Sequence, residues 1–392
     1  MKKIILLATG GTIASSGSEH GLKPTVDVEQ LLSFIPEVRG LCQLEGIALM
    51  QIDSTNMNPE RMAVIAKAIE QHCEEADGFV VAHGTDTMAY SAAALTFMLQ
   101  NLGKPVVFTG SQLPIEASGT DGKKNLSDAI RFACEDISGV YLVFDGKVID
   151  GTHGVKMKTR SMDAFYSVNA PEAAHIVNGR IVHNPAYMQM ICGKRIDENS
   201  EGCEENCLKK SFKEYACSGN ESEYDKDKTI DKNSEVCQES HLKVPFMEYT
   251  CSENLKETDT WKQKSCMYAD TAMCQDVIVL KLFPGMPEQI FDYIRENYRG
   301  VIIEGFGIGG IPGEQPDLAA KVKELAEAGL AVVITTQCMY EGVDLSVYEV
   351  GQNMKASNVI LGGTMTTEAL TMKLMWALAH FEDLEKVKEF ME

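Results

Sequence analysis

Basic residues are in short supply. Thirty-six Lys and Arg stand against 57 Asp and Glu, a formal net charge of −21 over 392 residues. A chain of that balance has no broad basic face to follow a phosphate backbone, so no nucleic-acid partner is expected. Long apolar runs are also missing. None reaches the roughly 18 residues a membrane-spanning helix requires, so no membrane partner is expected either. The N-terminus, MKKIILLATGG, breaks too early for the apolar region of a signal peptide and suits a first buried strand, which makes a cytoplasmic protein the expectation. Phosphate-binding signatures are absent too. TGGTIAS at 9–15 has neither G-x-G-x-x-G spacing with a helix directly after it nor the P-loop spacing.

Cysteine is plentiful, with 12 residues, but close CxxC-type pairs are lacking. Cys42, Cys73, Cys134 and Cys338 fall in apolar or helical contexts and read as small core residues. Cys203, Cys207, Cys217, Cys237, Cys251 and Cys266 fall in one polar, acidic segment over 197–272, flanked by Cys192 and Cys274. Their spacings match no common zinc pattern. A segment so poor in apolar periodicity buries too little surface to offset the entropy of ordering, and reads as a flexible surface insertion in preference to a metal or disulfide module. A reducing compartment would leave its thiols free. No cofactor and no metal are expected.

With 44% hydrophobic and 24% charged residues the chain has the composition of a globular protein, and its length allows two domains. Apolar runs at 4–7, 47–52, 78–82, 105–110 and 140–144 alternate with helix-like stretches at 59–75, 88–102 and 124–136. The alternation resumes near 276 with DVIVLKLF, PEQIFDYIREN, GVIIEGFG, LAAKVKELAEAG and LAVVITTQ, and closes on a helical stretch around TEALTMKLMWALAHF. This pattern predicts an α/β fold. A larger N-terminal domain (1–190) carries a mostly parallel sheet with helices on both faces, 191–272 is the cysteine-rich insertion, and 273–392 is a smaller C-terminal α/β domain.

Four stretches could carry chemistry. TGGTIAS sets Thr12 just past the first strand, where glycines permit unusual backbone angles and close ligand approach. DSTNMNP at 53–59 reads by itself as a capped helix start. In VVAHGTDTMAYSAAA a buried strand ends at His83-Gly84-Thr85-Asp86, and the carboxyl ends of strands line the ligand crevice of an open α/β sheet. GTHGVKMKTRSMDAFYSVN carries Lys156, Lys158 and Arg160 in alternate positions of an extended-looking segment. It is either a solvated basic strand or a strand that turns one lysine into the crevice for proton transfer.

In order and spacing, TGGTIA, DSTNM, HGTDTMAYSAAAL, KPVVFTGSQLP, the Lys156-to-Phe165 interval and VVITTQC resemble the bacterial-type L-asparaginase family, most closely its cytoplasmic type I members. The resemblance spans nearly the whole chain outside 197–272. It implies a flavodoxin-like N-terminal domain and hydrolysis of L-asparagine through a threonine acyl-enzyme. Thr12 matches the nucleophile, while Thr85, Asp86 and Lys156 match the family's second threonine, aspartate and lysine. Lys156 would move protons to and from Thr85, and Asp86 would hold the lysine and bind the substrate's α-ammonium. Ser54 matches the α-carboxylate ligand, with Thr55 beside it in the substrate-binding turn. The resemblance also implies a homotetramer, a dimer of dimers with sites between the N-terminal domain of one chain and the C-terminal domain of its partner.

Three departures accompany it. The loop SSGSEHGLKPTVD, placed like the family's lid, has no tyrosine; Leu22 stands near the expected place, and Glu19 and His20 read as solvated loop residues. EGFGIGGIP has Gly310 where many relatives carry asparagine, which leaves the roles of Tyr340 and Glu341 open. The third is the insertion. Two other functions fit the same residues: a glutaminase-type subunit of a tRNA-dependent amidotransferase, which in the family normally carries an additional N-terminal barrel, and a non-catalytic amino-acid sensor.

Overall fold

The computed structural model describes residues 1–18, 21–24, 28–193, 267–346 and 358–392. The insertion's six cysteines, with Glu19 and His20, lie outside the described residues.

The N-terminal half is built on an eight-stranded sheet. Its parallel members are β1 (Lys3–Gly10), β4 (Gln43–Ile52), β5 (Gly78–Ala82), β7 (Pro105–Thr109) and β8 (Gly139–Phe144). The short hairpin of β2 (Ser15–Ser18) and β3 (Gly21–Pro24) lies outside it, as does β6 (Leu99–Gln100). The sheet continues antiparallel through β9 (Lys147–Asp150), β12 (Ala174–Val177) and β13 (Arg180–His183), while β10 (Gly154–Lys156) pairs separately with β11 (Phe165–Ser167). Counted among themselves in chain order, the parallel strands run 2-1-3-4-5, the flavodoxin-like order.

Helices α1 (Val28–Ser33), α2 (Pro59–Gln71), α3 (Met88–Met98) and α4 (Gly122–Ala133) cover the sheet, and α5 (Pro185–Gly193) follows β13. Ile5, Leu7, Phe79, Val81, Val106 and Phe108 share one core with residues of α2 and α3. The alternate residues Ile4, Leu6, Val80 and Val107 are fully buried as well, and α4 packs on β5, β7 and β8. Burial on both faces is why these strands read as continuous apolar runs rather than alternating ones.

After β14 (Tyr268–Ala269), which pairs with β6, the chain forms a four-stranded parallel sheet. Its strands are β15 (Val277–Lys281), β16 (Gly300–Gly305), β17 (Ala331–Thr336) and β18 (Ile360–Leu361), in that order. Its helices are α6 (Gln289–Asn297), α7 (Leu318–Glu327), α8 (Thr367–His380) and α9 (Leu384–Met391). Phe291, Ile294, Leu318 and Val322 pack on one face with Val301 and Ile303. On the other, Ile302 and Val333 join Leu374, Trp376 and Leu378 of α8 in the core that also holds α3. Helix α3 is therefore buried between its own sheet and α8. Its sequence, MAYSAAALTFM, accordingly has no polar stripe, as expected of a helix buried all round.

Three local expectations are corrected. The helix expected over 88–102 stops at Met98, because the chain turns into β6 and Asn101 takes a positive φ of 56°. The extended run through Lys156, Lys158 and Arg160 ends at Lys156, where β10 gives way to a turn. Cys338 is exposed and Cys73 and Cys134 are only partly covered, leaving Cys42 as the buried member of that group. Among the described residues no helix is long and apolar enough to cross a membrane.

Candidate active site

Between β1 and β5 the strand order reverses, since β4 lies on the other side of β1. In a doubly wound sheet the loops leaving two such strands diverge and open a crevice at their carboxyl ends. Thr12 leaves β1 and Thr85 leaves β5, so both fall at that point.

Backbone contacts bring the two loops together. Gly11 has φ 78°, and a Cβ built on it would lie 2.4 Å from the Gly84 Cα, so neither the angle nor the space admits a side chain. The Gly11 N–H donates to the Ile52 carbonyl at 2.9 Å, which ties in the end of β4. A Cβ on Gly84 would in turn meet the Ser54 Cβ and Oγ at 2.6 Å. Thr12 and Thr85 thus each stand one residue beyond the same glycine contact, with Ser54 against it.

The side chains then converge. Lys156, at the end of β10, places its Nζ 2.8 Å from the Thr85 Oγ1 and 2.6 Å from an Asp86 carboxylate oxygen. Its strand is set by pairing with β11, in which Lys156 lies opposite the buried Phe165. Thr85 is buried, Lys156 is half-buried, and the Asp86 carboxylate faces outward with 55% of its side chain exposed. The Ser54 Oγ accepts the Asp86 N–H at 3.3 Å and the Thr87 hydroxyl donates to the Ser54 carbonyl at 2.8 Å. Ser54 is 4% exposed and, having accepted, retains its own hydroxyl hydrogen to donate. Thr55 is turned away: it is exposed, and its N–H and hydroxyl both bond the Asp53 carboxylate, at 2.9 and 2.8 Å. Thr12 is half-buried, and among the described residues its hydroxyl has no hydrogen-bond partner. Lys158 does not join the cluster; it pairs with Asp163 beside Tyr166.

Ser54, Thr85, Asp86 and Lys156 are therefore in contact, with Thr12 adjoining through Gly11. A crevice of this make-up offers an acceptor-only carboxylate, a donor hydroxyl, an amine within proton-transfer distance of a threonine, and a second threonine free to react. Among the described residues no cluster of His, Cys, Asp and Glu could hold a metal ion.

The family model described as "Asparaginase, N-terminal" matches residues 3–187, and that for the "Glutaminase/Asparaginase C-terminal domain" matches 276–391. The chain belongs to the asparaginase family. It is 31% identical to an L-asparaginase of Thermococcus kodakarensis over 100% of this chain and 97% of that protein. It is also 31% identical to a glutamyl-tRNA(Gln) amidotransferase subunit of Pyrococcus abyssi, over 100% of this chain and 75% of that protein. Among solved structures it superposes on the thermostable L-asparaginase from Thermococcus kodakarensis with a TM-score of 0.76 at 30% identity, covering 100% of this chain and 97% of that one. The asparaginase fold and an amidohydrolase of this family are thereby established.

Several residues that shape the site escaped the sequence reading. His83 is fully buried; its Nδ1 bonds the Gly84 carbonyl at 2.7 Å and its Nε2 the Ser91 hydroxyl at 3.0 Å. Burial pushes its pKa down to about 4, against a smaller upward pull from the Gly84 carbonyl, so the ring is neutral at pH 7. The Asp121 carboxylate accepts the Gln112 N–H at 2.9 Å and the Leu113 N–H at 3.1 Å, and Asn125 joins it to the Gly110 carbonyl at 3.0 Å, holding the GSQLP loop beside Thr85. The available signal was the i,i+4 pair Asp121/Asn125 where GSQLP leads into a helix. On the other side of α3, burial and the carboxylates of Glu368 and Glu304 push Tyr90 up to about 12. Burial also raises Glu368, and the Thr367 hydroxyl donates to Glu304 at 2.7 Å.

The two open C-terminal positions are placed as follows. Tyr340 is exposed, and Glu341, at φ 79°, donates its N–H to the Asn169 side chain at 2.8 Å. Gly310 forms a backbone bridge with Phe306.

Proposed function

We propose that this chain is an L-asparaginase, hydrolysing L-asparagine to L-aspartate and ammonia. The observation that carries the reading is the single Lys156 Nζ in contact with both Thr85 Oγ1 and Asp86, at 2.8 and 2.6 Å. In this reading the Thr12 hydroxyl attacks the side-chain amide carbon, ammonia departs, and water releases aspartate from the Thr12 ester. Lys156 exchanges protons with Thr85, which serves the attacking water and the leaving group. Backbone N–H groups hold the tetrahedral oxyanion, and losing one such donor costs about 3 kcal/mol. The outward-facing Asp86 carboxylate binds the α-ammonium and the remaining Ser54 hydrogen binds the α-carboxylate, so both charges of a free amino acid are met at one place. Thr55 contributes its position in the turn rather than its hydroxyl. No cofactor enters the reaction. The reading includes a cytoplasmic homotetramer of two tight dimers, a catalytic domain over 1–190 and a second α/β domain over 273–392.

A second reading, a glutaminase-type amidotransferase subunit, is favoured by the likeness to the Pyrococcus abyssi amidotransferase protein, which matches the whole of this chain. Ammonia release from L-asparagine and L-glutamine separates the two. The proposal expects faster release from asparagine, abolished in Thr12→Ala and in Thr85→Ala. Faster release from glutamine supports the amidotransferase reading. Calorimetric binding of asparagine without ammonia release would instead identify a sensor.

A further inference from the structure

The pair β10–β11 carries Lys156 to the crevice, yet it stands apart from both larger sheets. Gly154, Val155 and Lys156 lie opposite Ser167, Tyr166 and Phe165 in a two-stranded sheet of their own. Ladder hydrogen bonds therefore fix the two strands to each other, and other contacts must fix the pair to the fold. At the Lys156 end the anchor is apolar: Phe165 is buried against Phe144, with ring centroids 5.0 Å apart. At the other end the Val168 N–H closes on the His153 carbonyl at 2.9 Å, and the next residue is Asn169.

Asn169 uses both halves of its amide to reach the second sheet. Its Nδ2 donates to the Thr364 carbonyl at 2.9 Å, and its Oδ1 accepts the Glu341 N–H at 2.8 Å. Glu341 lies in the loop leaving β17 and Thr364 in the loop leaving β18, at the carboxyl ends of two parallel neighbours. Those loops are pressed together. The Val343 N–H donates to the Gly363 carbonyl at 3.1 Å, and a Cβ on Gly342 would lie 2.4 Å from that oxygen. The backbone is left-handed on both sides of the junction, with φ 58° at Asn169 and 79° at Glu341. A residue with a side chain holds such a conformation where its surroundings impose it, glutamate more so than asparagine. Asparagine suits position 169 because one short side chain supplies a donor and an acceptor and tolerates the left-handed region.

We infer that Asn169 is a positioning residue for Lys156, clamping the β10–β11 pair to the loops that leave β17 and β18. The inference rests on the reading of Lys156 as the proton-transfer group. Lys156 is three residues along the chain from the His153–Val168 bond, roughly 10 Å in an extended strand. Displacement at the clamp is carried over that short distance to the amine, whose contacts with Thr85 Oγ1 and Asp86 at 2.8 and 2.6 Å leave little tolerance. Asn169 acts through the placement of the strand pair, since its amide is engaged with Thr364 and Glu341.

The test measures steady-state ammonia release by the full-length protein from whichever of L-asparagine and L-glutamine it hydrolyses faster, with folding checked by circular dichroism. Asn169→Ala should lower kcat about 10- to 100-fold, the effect of misplacing a reacting group by an ångström or so. Its KM should stay within about twofold of wild type, since Ser54 and Asp86 are unaltered. Asn169→Gly should lose as much kcat, because glycine takes φ 58° freely but makes neither bond. In a Lys156→Met background Asn169→Ala should add no further loss, since the group it positions is gone. A kcat within about twofold of wild type in Asn169→Ala overturns the inference. So does recovery of kcat in Asn169→Gly, which would reduce Asn169 to a backbone role. A full additional loss in the Lys156→Met background overturns it too, because Asn169 would then act elsewhere. If Lys156→Met itself retains wild-type activity, the reading of Lys156 fails and the inference falls with it. If Lys156→Met is impaired and Asn169→Ala is not, the inference alone fails. Should Asn169→Ala not fold, Asn169→Gly, which suits the left-handed backbone, decides between loss and retention of kcat.

Discussion

His83 connects the stability of the turn at 83–86 to pH, and the effect can be calculated. The ring is fully buried with a pKa near 4, against 6.5 for a free imidazole. Its partner Ser91 does not impose this shift, because a hydroxyl that donates to neutral Nε2 can rotate and accept from a protonated one. The cost is that of charging a ring enclosed beside Phe108, whose centroid is 5.8 Å away. Since the folded pKa is the lower one, the unfolded chain binds more protons between pH 6.5 and pH 4. The contribution is whole above pH 6.5, is lost as pH falls toward 4, and is constant below that. At pH 5 the linkage expression gives a loss of about 2 kcal/mol. Urea unfolding of wild type and His83→Gln, followed by circular dichroism between pH 7.5 and pH 5, tests this. The variant should be less stable at pH 7.5, by about 1 kcal/mol for a hydrogen bond made less well. It should close that gap, and pass the wild type, as pH falls. A gap that stays constant across the range would refute the reasoning, since His83 would then be titrating as in solvent.

Replacing Lys156 with Met should lower kcat for ammonia release by roughly 10²–10⁴-fold, the usual range for a positioned proton-transfer group, with folding preserved by circular dichroism; a loss below about tenfold would remove Lys156 from the chemistry. Gly84→Ala drives a Cβ to 2.6 Å from Ser54, so either Ser54 or the turn must move. It should cost about 1–3 kcal/mol in urea unfolding and raise KM for the amino acid, and a normal KM would separate Ser54 from substrate binding. Lys373 in α8 is 2% exposed, with burial lowering its pKa to about 8 and its Nζ donating to the Met391 carbonyl at 2.9 Å. Its depressed folded pKa means that the fold carries the cost of the buried charge below pH 8 and sheds it toward pH 10.5. Wild type should therefore gain about 2.5 kcal/mol between pH 7 and pH 10 relative to Lys373→Met, read by urea unfolding at each pH.

How much was legible depended on the range of each interaction. Strand β5 could be read from GFVVA because burial on both faces leaves only apolar residues, and α2 from its Asn58 cap and Pro59. The end of α3 was misplaced by a few residues, because Met98 and Leu99 are equally apolar and the break comes from Asn101 and the pairing of β6 with β14 far along the chain. At the site, Thr12, Thr85 and Asp86 follow strand ends, a local signal, whereas DSTNMNP reads by itself as a capped helix start and only resemblance to relatives selects Ser54. Lys156 is 70 residues from Asp86, and among three alternating cations only resemblance to relatives selected it. Thr55 shows the reverse: adjacency to Ser54 suggested a binding hydroxyl, but the Asp53 carboxylate two residues back captures it. His83 was passed over because nothing in HGTDT indicates that its ring faces inward to Ser91, one turn into the next helix.

The burial of α3 also determines how the second sheet can affect the first. Thr85 and Asp86 immediately precede α3, Ser91 in its first turns orients His83, and Tyr90 faces the carboxylates of Glu304 and Glu368 from the C-terminal part of the chain. A second tie runs from the Asn169 side chain to the Thr364 carbonyl, at 2.9 Å, just before α8. Since α8 packs directly on α3, a shift of α8 cannot be absorbed by solvent or by a loose surface. On that face it must be taken up by α3 and the close-packed core the two helices share. The helix that carries Thr85 and Asp86 at its N-terminus is thus the element through which the C-terminal sheet meets the turn at the crevice. Changes in α8 at residues facing α3 should alter the Lys156–Thr85–Asp86 geometry, although α8 contributes no side chain to it.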